Sequence, residues 1–257
     1  MHIVTWNING LRAISQKGFR DWFTSHAPDI IALQEIKATT SDVVALLEEW
    51  KDHYEVYLNP AERKGYSGTA LMIKKGSPAP LKINVGIGIP KFDIEGRFIW
   101  AEYSDFCLLT GYFPNGKDDH SRVDYKLEFS REVLALAKKL AKNKGVLIAG
   151  DLNTAHTAID LSRPKANTNT TGFLPHERAF LDEMVASGFN DAFRVKNPTK
   201  IEEYTWWSYR GGCRGKNIGW RLDYIFIDKK IEQRMKDVNH LQSVLGSDHC
   251  PVEIIFE

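Results

Sequence analysis

The chain has 257 residues, of which 43% are hydrophobic and 26% charged, with a net charge of +1. That length suits one large domain with a substantial core, the composition excludes a disordered or fibrous polymer, and no apolar run approaches a membrane span. A total charge so close to zero carries no information about partners.

The opening MHIVTWNING reads as a strand ending in Asn7 and Asn9. It shows no basic leader followed by an apolar run, so the expectation is an intracellular, cytoplasmic protein without a targeting segment. Further along, strands are expected at DIIALQ, YEVYL, GTALMIK, RFIWAEY, FCLLTGYF, GVLIAGD, RLDYIFI and PVEIIF. Helices are expected over Gly18–His26, Ser41–Trp50, Ser121–Lys142 and His176–Ser187, the third with an apolar face at roughly helical spacing. Many strands and few helices predict a layered α/β sandwich, sheets packed on each other with helices outside. No linker or low-complexity stretch divides the chain, which predicts a single domain over 1–257. Cys107, Cys213 and Cys250 are scattered, odd in number and outside metal-ligand spacing, as expected in a reducing compartment.

Two strands echo each other. IVTWNIN and LIAGDLN each run from an apolar strand into a polar residue, one spacer and an asparagine. A third, IIALQE, also stops in polar groups. Strand ends of this kind are candidates for lining a site because the sheet holds them rigidly. The set comprises Asn7, Asn9, Gln34, Glu35, Tyr112, Asn115, Asp151, Asn153, Asp223, Asp248 and His249. It offers carboxylates, amides, one imidazole and one phenol, with no nucleophile elbow and no catalytic cysteine. That mix suits a hard cation with oxygen ligands, such as Mg²⁺, and donors aimed at phosphate oxygens.

Magnitudes favour a group of residues over any one pair. A positioned acid or base contributes about 10²–10⁴-fold and one preorganised donor about 10²–10³, whereas phosphate-ester hydrolysis demands far more. Each residue also has a structural reading. Glu35 suits an exposed strand-end charge, and Asn153 a turn cap after Asp151. Asp223, in an apolar strand where an unpaired carboxylate is costly, suits a pair with Arg221 or with His249. Singly, the structural readings win most of these contests; jointly they are strained. From Trp206 to Arg221 the chain reads WWSYRGGCRGKNIGWR, with Arg210 among its cations and no acid. Basic groups interleaved with aromatics suit nucleic acid, and equally a loop whose tryptophans pack inward.

The motifs WNINGLRA, LQEIK, GYSGTA, EGRFI, YFPNG, GDLNTAHTAIDL, GFLPHER, YTWWSYR, GWRLDY and GSDHCP occur in this order along the chain. In them the sequence resembles, from first strand to last, the exonuclease III family of abasic-site endonucleases. That family lies within the endonuclease/exonuclease/phosphatase superfamily, which includes the DNase I type. LQE, GD.N and SDH are superfamily-wide and identify only the chemistry. GWRLDY, GYSG and YTWWSY are specific to the abasic-site branch.

The resemblance implies a DNase I-like four-layer α/β sandwich of two packed mixed β-sheets flanked by helices. It also implies Mg²⁺-dependent hydrolysis of the phosphodiester 5′ to an abasic site in duplex DNA, with Mn²⁺ as a substitute metal. A 3′-hydroxyl and a 5′-deoxyribose phosphate would be left, with 3′-to-5′ exonuclease and 3′-phosphodiesterase activities alongside. Carried over by motif, Glu35 is the principal metal ligand, assisted by Asn7, Asn9 and Asp248. Asp151 would orient and deprotonate the attacking water, Asn153 and Asn7 would bind the scissile phosphate, and Tyr112 and Asn115 would bear on the same anion. His249, held by Asp223, would donate to a non-bridging oxygen. Trp206, Trp220 and Leu222 would wall a pocket for a sugar lacking its base. Arg12, Lys37, Tyr66, Arg97 and Asn167 match positions that contact the DNA backbone, and Lys117 and Arg210 lie where side chains wedge into the duplex. The expected partners are abasic duplex DNA and base-excision-repair proteins, not a membrane, with a monomer as the default.

Two departures stand out. Asn9 replaces the aspartate of some members, removing a carboxylate near the metal, and Thr170 stands where some relatives have asparagine, so no role is assigned to it. Two other functions compete. A superfamily phosphatase acting on inositol phosphates or lipid headgroups would share the Glu, Asp and His core but lack the tryptophan pocket. A non-catalytic nucleic-acid-binding module would have lost some of Glu35, Asp151, Asp223 and His249, and none is lost.

Overall fold

The computed structural model of the protein describes residues 1–257. Its strands, in chain order, are β1 His2–Asn7, β2 Ile30–Gln34, β3 Tyr54–Asn59, β4 Thr69–Lys74, β5 Lys82–Val85 and β6 Phe98–Glu102. They continue as β7 Phe106–Tyr112, β8 Gly145–Asp151, β9 Phe189–Asp191, β10 Asp223–Asp228, β11 Met235–His240 and β12 Val252–Phe256. The helices are α1 Leu11–Ile14, α2 Phe19–His26, α3 Thr40–Leu46, α4 Pro90–Asp93, α5 Val123–Leu140, α6 Pro175–Ala186 and α7 Ala192–Lys196. The helix expected over Ser41–Trp50 is shorter: α3, capped by the reciprocal Thr39–Asp42 pair, ends at Leu46 and a single 3₁₀ turn completes the stretch.

Two six-stranded sheets result, ordered β11-β12-β1-β2-β4-β3 and β5-β6-β7-β8-β10-β9. Each contains one parallel pair, β1 with β2 and β7 with β8, among antiparallel neighbours. Side-chain alternation then builds the layers. In β1, Ile3 points between the sheets, where it joins Ile30, Leu71, Ile99, Leu108, Leu147, Ile225 and Ile254 in one core. Val4 and Trp6 point the other way and pack with Phe19, Phe23 and Val43 from α2 and α3. The far face of the second sheet is covered by Leu127, Phe129, Val133 and Leu134 of α5 and by Phe180 and Leu181 of α6. The molecule is the four-layer sandwich that the resemblance implies.

The two sheets repeat one plan. Read outward from the parallel pair, β1 sits between β2 and antiparallel β12, just as β8 sits between β7 and antiparallel β10. The flanking strands also correspond, β11 to β9, β4 to β6 and β3 to β5. The strands that echo each other in sequence, β1 and β8, are therefore equivalent in the two sheets. Their C-terminal ends meet at one edge of the sandwich.

Candidate active site

At this edge the two echoing strands end in the same turn. Asn7 Oδ1 accepts from Asn9 N at 3.0 Å, and Asp151 Oδ1 accepts from Asn153 N at 2.8 Å. Asn9 and Asn153 both adopt left-handed backbone, with φ of 47° and 50°, a conformation asparagine tolerates better than other side chains with a Cβ. The turns aim the side chains across the seam. Asn7 Nδ2 donates to Glu35 Oε1 at 2.8 Å and to Asp151 Oδ2 at 2.8 Å, joining one sheet to the other.

Asp223 opens β10 opposite Asp151 and is wholly buried. The alternatives left open by the sequence resolve here. Arg221 turns away to Asp160 and Asp191, at 2.8 and 2.7 Å. Asp223 Oδ2 instead faces His249 Nδ1 at 2.8 Å and accepts from the Thr205 hydroxyl at 2.7 Å. His249 is fixed on its backbone side as well, its carbonyl accepting from Trp6 Nε1 at 3.1 Å and its N–H donating to Ser247 Oγ at 3.2 Å. Its free Nε2 lies 3.9 Å from Asp151 Oδ2. Burial alone would favour a neutral ring, but the carboxylates of Asp223 and Asp151 outweigh it and push the imidazole's pKa up. Burial and the charge of Asp223 likewise push the Asp151 carboxyl up from its ordinary range.

Tyr112 ends β7 in register with Asp151. Burial and the nearby charges of Glu35 and Asp151 hold its phenol well above the ordinary tyrosine range, so it stays an O–H donor at neutral pH. Asn115 Nδ2 donates to Asn153 Oδ1 at 3.1 Å, and Asn115 Oδ1 accepts from Lys117 N at 2.8 Å. Arg97 departs from its expected place on the DNA surface. It is 2% exposed, and its guanidinium is held by Glu95, by Tyr66 Oη at 2.6 Å and by the Tyr112 carbonyl at 3.0 Å. A cation enclosed by those partners braces Tyr66 and Tyr112 from behind.

On the other side of Glu35, Lys37 Nζ lies 2.6 Å from Glu35 Oε2 and donates to Asn9 Oδ1. Asn9 Nδ2 donates to Asp248 Oδ1 at 2.9 Å, and Asp248 Oδ2 accepts from Trp206 Nε1 at 3.1 Å. Ligand atoms of Glu35, Asp151 and His249 lie within 4.8 Å of one another, close enough to hold a metal ion. The carboxylates of Glu35 and Asp248 and the amide oxygens of Asn7 and Asn9 form an oxygen-rich set beside them.

A cavity of about 760 Å³ opens over this cluster. Glu35, Tyr112, Asn115, Asp151, Asn153, Asp248 and His249 line its polar side, and Trp206, Trp220 and Leu222 its apolar side. The tryptophans do pack inward, joining Ala155, Leu161 and Phe173 in a small cluster of their own, yet both remain partly open to the cavity. Asn167 and Arg210 reach the same cavity, while Arg12 and Lys37 line a neighbouring cleft of about 520 Å³. Sequence reasoning missed Thr205, which orients Asp223, and Phe173, edge-on to Trp220 at 6.4 Å. Both lie inside motifs already quoted, YTWWSYR and GFLPHER. Thr170, given no role, also lines the cavity.

Packed mixed sheets with carboxylates, amides and an aspartate-held imidazole at their common strand ends define a hydrolytic centre rich in oxygen ligands. Residues 4–249 match the endonuclease/exonuclease/phosphatase family, and the chain belongs to that family. It is a hydrolytic enzyme. It is 41% identical over 256 residues to an exodeoxyribonuclease of Bacillus subtilis, covering 99% of each chain. A DNA-(apurinic or apyrimidinic site) endonuclease of Dictyostelium discoideum is 39% identical over 260 residues, all of this chain and 71% of that one. Among solved structures, the AP endonuclease LMAP of Leishmania major superposes with a TM-score of 0.89 at 27% identity, over 98% of this chain and 86% of that one.

Proposed function

We propose that this enzyme is a DNA-repair endonuclease that hydrolyses the phosphodiester 5′ to an abasic site in duplex DNA, leaving a 3′-hydroxyl and a 5′-deoxyribose phosphate. Trimming of 3′ ends would proceed at the same centre. One observation carries the reading: a single cavity has Glu35, Asp151 and His249 on one side and the Trp206–Trp220–Leu222 wall on the other. The first suits a phosphodiester and the second a flat-walled recess for a sugar without a base. A nucleotide that has lost its base is also cheaper to extrude from the helix, because it has less stacking to give up.

In this reading Asp151, its carboxyl raised towards neutrality by burial, orients a water through Oδ2 and takes its proton. Asn7 Nδ2 holds that oxygen in place. His249, steadied by Asp223 and Thr205, donates Nε2–H to a non-bridging phosphate oxygen and opposes the charge growing there. The neutral phenol of Tyr112 and the amides of Asn153 and Asn115 donate to the same anion or the leaving oxygen. Glu35, Asn7, Asn9 and Asp248 are the residues that would hold Mg²⁺, an all-oxygen set of the hardness that ion prefers. When bound, the cation supplies Lewis-acid charge against the phosphate oxygens. Arg12, Lys37, Tyr66 and Asn167 meet the DNA backbone, with Tyr66 carried by Arg97, and Lys117 and Arg210 wedge into the duplex. The enzyme acts as a monomer, for which the single cavity is sufficient.

The test is incision of a duplex oligonucleotide carrying one tetrahydrofuran abasic analogue, with Mg²⁺, with Mn²⁺ and with EDTA. Cleavage 5′ to the analogue, with a terminus that a polymerase extends, is expected in either metal and not in EDTA. Metal-independent cleavage, or turnover of an inositol phosphate without incision, overturns the reading.

A further inference from the structure

At the opposite end of β1 from Asn7, about 16 Å away at the rise of an extended strand, three other potential ligands converge. His2 begins β1, His26 is the last residue of α2, and Glu253 lies in β12. In the β1–β12 ladder Glu253 is paired with Val4, so His2, two residues from Val4, projects from the same face of the sheet. That face is the one α2 covers. His2 Nε2 lies 2.8 Å and His26 Nε2 2.9 Å from one and the same atom, Glu253 Oε2. The three ligand atoms sit within 4.8 Å of one another. We propose that His2, His26 and Glu253 form a second metal site, selective for a divalent transition ion of the zinc type and independent of the catalytic centre.

The donor chemistry sets the choice of ion. Two imidazole nitrogens and one carboxylate oxygen suit zinc, cobalt or nickel, whereas magnesium prefers oxygen ligands and its own waters. Ligand atoms about 2.0–2.2 Å from a tetrahedral ion stand about 3.3 Å apart, so each imidazole need retreat from Glu253 by only about half an ångström. The side chains of His2 and His26 are 22% and 26% exposed, which leaves water access to a fourth position. The surroundings are those of a held site. Asn239 Nδ2 donates to the other carboxylate oxygen, Glu253 Oε1, at 3.2 Å, fixing the plane of the carboxylate. Trp22 stacks on the His26 ring at 5.0 Å, and the two imidazoles meet edge to face at 4.8 Å. The C-terminal end of α2, where carbonyl dipoles favour a cation, lies at His26. A pair of imidazoles hydrogen-bonded to a structural carboxylate would satisfy the same distances. It differs in requiring no ion.

The experiment uses the untagged full-length enzyme, stripped with chelator and kept in saturating Mg²⁺ so that the catalytic centre is occupied. Zn²⁺ is titrated by calorimetry, and Co²⁺ by its visible absorption, into the wild type, His26→Ala and Glu253→Gln. One more Zn²⁺ per chain is expected in the wild type than in either variant, or an affinity at least about tenfold tighter. A rise in melting temperature with Zn²⁺ should be confined to the wild type. Incision of abasic DNA in Mg²⁺ should be unchanged in His26→Ala, because the site lies away from the cavity. Should a variant fold poorly, perturbation of the His2 and His26 ring resonances in the wild type on adding Zn²⁺ answers the same question. Equal zinc binding by wild type and variants, or unperturbed rings, overturns the proposal.

Discussion

Asp151 accepts hydrogen bonds from Asn7 Nδ2 and Asn153 N, at 2.8 Å each, and Asn153 can keep its bond if the carboxylate becomes an amide. Asp151→Asn therefore should leave the turn intact while removing the acceptor for a water's proton. Turnover is expected to fall by about 10²–10⁴-fold, with affinity for uncleaved abasic DNA within a fewfold of wild type. Single-turnover incision and fluorescence anisotropy measure the two quantities separately; an equal collapse of both would make Asp151 structural. The residues of the cluster were readable in the sequence because strand ends that stop in Asn, Glu and Asp are unusual. Their partners were less so. Nothing in GWRLDY says that Arg221 would be drawn off by Asp160 and Asp191, leaving Asp223 to His249, since that choice depends on three distant segments. Arg97 shows the opposite failure, a motif-borne cation that folding enclosed behind Tyr66 and Tyr112.

Among the elements, β7 and β8 leave no room for a side chain between them just before the ends that carry Tyr112 and Asp151. Gly111 and Gly150 face each other in register, and a Cβ on Gly150 would stand 2.0 Å from the Gly111 carbonyl oxygen. Gly150 also has φ of 145°. Gly150→Ala must push these strands apart at the point from which Tyr112 and Asp151 project. A destabilisation of about 1–3 kcal/mol is expected in chemical denaturation, with a loss of kcat out of proportion to it. The apolar wall makes a different prediction. Trp206→Ala should lower the preference for an abasic over an intact nucleotide by about tenfold or more, the scale of a lost pocket contact, and slow the bond-breaking step less. Competition between the two oligonucleotides reads that ratio directly. Every strand that buries both faces was legible from its apolar run. The three that were missed, β5, β9 and β11, are all edge strands, and KINV, FND and MKDVNH carry too little apolar alternation to betray a strand paired on one side. Helix α3 ended early because Leu47 leaves helical backbone, with φ of −105° and ψ of 7°, which no capping residue announces.

At the scale of the whole molecule, stability should depend on pH through His240. This ring closes β11, stacks on Phe193 of α7 at 3.9 Å, and has Glu203 beside it at 3.5 Å. Burial lowers its pKa from 6.5, the carboxylate of Glu203 raises it in part, and Arg221 lowers it again. With the folded pKa depressed, the unfolded chain takes up the proton first as pH falls. The contribution of the neutral ring is intact above the ordinary imidazole value and is lost below it. Between about pH 7.5 and about 5.5 the melting temperature of the wild type should fall more than that of His240→Phe, which has no ring to protonate at this position. Parallel curves would remove His240 from the account.

The order in which the two sheets close has a consequence for synthesis. The second sheet is continuous in the chain, β5 to β10, whereas the first is interrupted by it and needs β11 and β12 to finish. Asp248 and His249 arrive only with that closing hairpin. On the ribosome, a nascent chain can assemble the half that carries Asp151 and Asp223 long before the other half is able to join it. On the roles proposed for these residues, cleavage of nucleic acid must wait until translation has delivered almost all of the polypeptide.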